Sequence, residues 1–75
     1  MEYRERLVID PEVRFGKPCV RGTRISVGDV LGFLASGSSV AEVVEEYPPL
    51  TVEDVLACLA YAADRESHTV TLPAA

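Results

Sequence analysis

Three helix starts, at Ser26, Ser39 and Thr51, constrain this chain more than any other feature in it. Each precedes an apolar run with helical spacing, and Ser and Thr are favoured N-cap residues because their hydroxyl accepts from a free backbone N–H. After Ser26, the residues Val27, Val30, Leu31 and Leu34 fall on one helical face. Asp29 sits in that first turn, where the helix dipole favours an acid, and Gly37 marks the stop. After Ser39 the pattern repeats with Val40, Val43, Val44 and Tyr47, and Glu42 completes a capping box. Pro48 and Pro49 end this run, since each proline drives its predecessor out of the α region. After Thr51, with Glu53 and Asp54 in the first turn, the spacing predicts a third helix over 52–65. Its inward residues are expected to be Val52, Val55, Leu56, Leu59 and Ala63. Helices two and three, joined by Pro-Pro-Leu, have the length and short turn of a helix-turn-helix.

The third helix is apolar on its other side too, where Cys58, Tyr61 and Ala62 lie off the main stripe. A helix apolar all round is buried all round. A chain of 75 residues is poorly placed to bury it alone, because domains of this size hide only about 60% of their unfolded surface. The Cys58–Tyr61–Ala62 side is therefore expected to meet a partner or a second copy, making the protein a homodimer.

Upstream of Ser26 the segments "RLVI" and "PCVRGTRI" read as extended, with turn signals at Asp10–Pro11, Gly16–Lys17–Pro18 and Gly22. Near the end, "HTVTL" alternates as a short edge strand or docking tail does. The expected fold is mainly α: a three-helix, helix-turn-helix bundle with a short N-terminal β-hairpin arm. It forms a single domain over 1–75, with a β-rich basic arm (1–25), a three-helix body (26–65) and a tail (66–75).

Charge divides along the same boundary. Residues 1–24 carry six basic and four acidic side chains, while residues 25–75 carry one basic and eight acidic, for a total of −5. Two oppositely charged ends attract each other or each other's copies.

Several chemistries lack their residues. A nucleophile–base pair needs a His beside Ser or Cys, and the single His68 lies in the tail, so no catalytic residue is assigned. Two cysteines and one histidine do not make a structural zinc set; Cys19 and Cys58 are expected to be reduced and buried, with no metal and no cofactor. The arm's Gly16, Lys17 and Gly22 are not in P-loop order. No segment approaches a membrane span or signal peptide, and the expected location is the cytoplasm. DNA reading by helix three is opposed by Glu53, Asp54 and Asp64, with Arg65 alone positive. Contact with DNA or with an acidic protein is expected instead through Arg14, Lys17, Arg21 and Arg24, helped by Arg4 and Arg6. The bland alternative is that these arginines pair internally with the acids of the helices.

The stretch "GKPCVRGTRISVGDVLGFLASGSSVAEVVEEYPPLTVEDVLACLAYAAD" resembles a small bacterial and archaeal family, domain of unknown function number four-three-three. Gly16, Lys17, Pro18, Arg21, Gly22, Thr23 and Arg24 fit its G-K-P-x-[IV]-R-G-T-R-[IV] hallmark, and Ser26 stands where a proline is common. The resemblance implies a homeodomain-like three-helix fold and an antitoxin role beside a PIN-like nuclease. Arm residues Arg14, Lys17, Arg21, Thr23 and Arg24 would face that partner's carboxylates, and a dimer would form through helix three. The rival reading is a DNA-binding regulator that uses the same arginines on phosphates.

Overall fold

The structure is a computed structural model that describes residues 1–67. The expected strand or docking tail at 68–72 lies outside the described residues. A 3-10 turn at Tyr3–Glu5 leads into β1 (Leu7–Val8), which, after a second such turn at Arg14–Gly16, pairs antiparallel with β2 (Cys19–Val20) in the register Leu7 with Val20 and Val8 with Cys19. Helices α1 (Val27–Ala35), α2 (Val40–Glu46) and α3 (Val52–Glu66) follow, each packed on the other two. The expected arm and three-helix body are both present.

Every helix start is built as its sequence implies. Ser26, Ser39 and Thr51 each accept from a backbone N–H three residues on, and the acid at that position accepts in return from the cap's own N–H. The third such acid is Asp54, so the helix that the spacing opened on Thr51 also starts with a full capping box. Gly37 takes φ +105 after α1, a left-handed stop that glycine adopts without strain. Pro48 and Pro49 carry the chain out of α2 into a turn closed by Leu50 N–H donating to Tyr47 O, which drops Leu50 into the core.

That core consists of Leu7 and Val20 from the arm with Val27, Val30, Val43, Leu50, Val55, Ala57 and Cys58 from the body. The arm therefore contributes to the main apolar burial among the described residues, and each core aliphatic is worth about 1.5–3 kcal/mol of burial. Tyr3 stands edge-on to Tyr61 at 5.5 Å and donates its hydroxyl hydrogen to Asp64, which ties the N-terminus along α3. Both cysteines are free and buried. Burial, with the charge of Asp54 adding to it, pushes the Cys58 thiol up to about 11.

Helix α3 is rotated relative to expectation. Val55 is buried as foreseen, but Val52, Leu56 and Leu59 are 47%, 43% and 40% exposed, and Ala63 is exposed as well. Of the side expected to face a partner, Cys58 is fully buried in the body, while Tyr61, packed against the core, and Ala62 are half-buried. Asp54, whose carboxylate closes the Thr51 capping box and accepts from the Arg6 guanidinium at 3.1 Å, lies on the edge of α3 turned toward the arm. Small residues Ala57 and Cys58 then let the other helices approach closely, while the larger leucines are left outside.

Candidate partner-binding arm

The arm's motif is first of all a folding device. Gly22 takes φ +78, a conformation open to glycine, in the turn after β2. Thr23 Oγ1 donates to Val20 O at 2.8 Å and accepts from Ile25 N–H at 3.0 Å, so one hydroxyl fastens both sides of that turn. Arg21 lays its guanidinium back over the N-terminal segment, donating from Nε to Glu5 O at 3.1 Å and from a terminal nitrogen to Arg4 O at 3.4 Å. Its backbone N–H donates to Arg6 O, extending the pairing of β1 with β2. Pro18 O accepts from Val27 N–H and carries the arm directly onto the start of α1.

Arg14 has a different task. Residues Arg14, Phe15 and Gly16 all lie in the left-handed region, with φ +51, +58 and +81. For non-glycine residues this costs roughly 1–2 kcal/mol each, so something must hold the turn. The Arg14 guanidinium does so, donating to Arg24 O at 2.9 Å and to Asp29 Oδ2 at 3.0 Å. Asp29 is the capping-box acid of α1, and its carboxyl is held below the usual range, first by the backbone N–H of Ser26 and further by Arg14. One carboxylate thus joins the helix start to the strained turn.

The consequence is the position of Phe15. Its side chain is 100% exposed, with no core contact to justify the strain. Lys17 and Arg24 are exposed too, and neither side chain has a hydrogen-bond or ion-pair partner among the described residues. Arg24 borders a shallow hollow of about 410 Å³ with Val8, Asp10, Val13, Gly22 and Thr23.

Of the five expected binding residues, the structure therefore gives Arg14, Arg21 and Thr23 internal bonds and leaves Lys17 and Arg24 open. Arg6 is engaged with Asp54, and Arg4 lies 5.1 Å over the Tyr3 ring and pairs with Glu2. Tyr61 and Ala62, foreseen on an outer face, line a groove of about 500 Å³ between α3 and the start of α1, with Pro18, Gly28 and Arg65 on its walls. Sequence reasoning passed over Phe15, because an aromatic before glycine reads as an ordinary turn neighbour. The signal was its place between the cations Arg14 and Lys17 beside a turn glycine, Gly16. Among the described residues no group of three or more His, Cys, Asp or Glu is arranged to hold a metal, and no helix is long and apolar enough to cross a membrane.

Comparison with known proteins agrees with this architecture. The family described as "protein of unknown function (DUF433)" matches residues 7–62. An uncharacterised protein, y4eO, of Sinorhizobium fredii is 39% identical over 59 residues, which are 79% of this chain and 27% of that protein. A crystal structure of a DUF433 member from Anabaena variabilis is similar with TM-score 0.77 and 31% identity, covering 83% of this chain and 61% of that one. The crystal structure of Rv2018 from Mycobacterium tuberculosis is similar with TM-score 0.67 and 30% identity over 77% of this chain and 27% of its own. The chain thus spans about a quarter of the length of y4eO and of Rv2018, and well over half of the Anabaena protein. The hairpin, its turn, α1, α2 and most of α3 fall within the matched residues, and on that span the chain belongs to the DUF433 family.

Proposed function

We propose that this chain is the inhibitory partner of a PIN-like nuclease, an antitoxin whose arm enters a site built from carboxylates. The observation that supports this reading is the division among the arm's cations. Arg14 and Arg21 are committed to the fold, whereas Lys17 and Arg24 are free of partners among the described residues and share the arm with an exposed Phe15. A guanidinium placed in a carboxylate cluster binds two oxygens at once and takes the position of the divalent cation that such a nuclease needs. Lys17 adds a point charge beside it, and Phe15 supplies the kind of rigid aromatic anchor that dominates binding energy at interfaces. The strained backbone fits the same role, since left-handed non-glycine residues persist where function holds them.

DNA recognition has less support. Helix α3 exposes Val52, Leu56, Leu59, Glu53 and Asp64 with Arg65 alone positive, so a groove-reading helix is poorly supported and any phosphate contact would have to use the same Lys17 and Arg24 of the arm. The test is co-expression with a PIN-like nuclease encoded beside this chain, followed by co-purification and assay of RNA cleavage. Lys17→Ala with Arg24→Ala is expected to lose the complex and release the nuclease. Retained binding and retained inhibition would refute the proposal.

A further inference from the structure

Two exposed surfaces of the chain are complementary, and they do not touch each other within one molecule. The arm presents Phe15, wholly exposed, together with the exposed and unpaired cations Lys17, two residues on, and Arg24. The outer face of α3 presents Val52, Leu56 and Leu59 in a row, with Glu53 beside them exposed and unpaired. Glu45 and Glu46 at the end of α2 are likewise exposed and unpaired, so the body's outer side is acidic where the arm is basic.

We propose that the arm of one copy docks on the outer face of α3 of a second copy, seating Phe15 on Leu56 and Leu59 with Lys17 and Arg24 toward Glu53. The occupant follows from charge. Residues 1–24 have a net charge of +2 and residues 25–75 of −7, and the internal pairs Arg6–Asp54 and Arg14–Asp29 already show arm cations choosing acids of the body. A direct α3–α3 contact is disfavoured by the same count. Beside the outer row that helix carries Glu53, Asp64 and Glu66 against Arg65 alone, so either orientation sets acids against acids. Arm-to-helix docking instead joins opposite charges around an apolar centre.

The contact is small. An aromatic ring buries about 150–250 Å², far below the ~800 Å² per partner of a standard stable interface. The association is therefore weak and depends on protein concentration. It uses the same arm as the inhibitory surface proposed above, so a carboxylate-rich partner and a second copy compete for it. It is testable with this chain alone, and its failure leaves the inhibitor reading standing.

The experiment is sedimentation velocity on the chain and two variants, each first checked for native helix content by circular dichroism. The arm variant is Phe15→Ser with Lys17→Ala, and the face variant is Leu56→Ser with Leu59→Ser. The unmodified chain is expected to show a sedimentation coefficient that rises with concentration and falls back on adding salt. Each variant alone is expected to remain monomeric, and a mixture of the two is expected to form a dimer that grows no further, because only one intact arm meets one intact face. An arm variant that still associates shows an α3–α3 contact and overturns the proposal, as does a mixture that stays monomeric. If the face variant loses helix content, Glu53→Lys replaces it; that variant must weaken association, and regain it when mixed with Lys17→Glu.

Discussion

Phe15 is the residue at which fold and function pull apart. It sits at φ +58 with its ring entirely in solvent, so it contributes strain to the fold and no packing. Phe15→Gly removes the left-handed penalty of about 1–2 kcal/mol and adds chain entropy to the unfolded state that offsets part of it. The expected result is a variant as stable as the parent or up to ~1 kcal/mol more stable in urea unfolding. A clear loss of stability would show that the ring does structural work. Asp29 behaves in the opposite way, since its carboxylate serves both the α1 capping box and Arg14. Its folded pKa lies below the ordinary value of 3.8, so the charged form is the one the fold favours. The stabilisation is complete above that ordinary value and disappears as pH falls through the folded one. The stability gap between the parent and Asp29→Asn should be widest at neutral pH and close in acid. A gap that stays constant down the acid range contradicts this assignment.

At the scale of elements, helix starts were legible and one helix face was not. Ser26, Ser39 and Thr51 act through their immediate neighbours, so local chemistry alone is enough to find them. The short hairpin was legible for the same reason, from its glycines and prolines. The orientation of α3 brings Asp54 to Arg6, 48 positions away in sequence. On a helix apolar nearly all round, the hydrophobic period does not decide which side is inside, and packing against distant residues such as Leu7 and Val20 does, with the Arg6 pair adding to it. The roles of the arginines were hidden likewise, because Arg14 and Arg21 find partners ten to seventeen residues away and Lys17 and Arg24 find none. The rotated helix makes a direct prediction. Val55→Ala, at a fully buried site, is expected to cost about 2 kcal/mol, as the removal of two buried methylene-sized groups does. Leu56→Ser, on the outer face, is expected to cost roughly half of that or less, since the side chain is already partly in water. Thermal or urea unfolding that ranks the two in reverse would restore the orientation that periodicity alone implies.

The molecule as a whole is a basic arm stitched to an acidic body. Arg6–Asp54 and Arg14–Asp29 are the stitches, and Leu7 and Val20 bring the arm into the core. Both ion pairs are partly exposed, so each is worth about 1 kcal/mol or less by charge alone, and the shared core carries the larger part of the attachment. What the arm does not use on itself, it presents: Lys17, Arg24 and Phe15 are exposed, while Arg21 is folded back onto backbone carbonyls. That separation of structural from presented cations is the central claim, and urea unfolding at neutral pH tests it without any partner. The double variant Lys17→Ala with Arg24→Ala should match the parent within about 0.5 kcal/mol, while Arg14→Ala should lose about 1 kcal/mol with its two bonds to Arg24 O and Asp29. A double variant that loses as much as Arg14→Ala would contradict the division of the arm into cations that hold and cations that reach.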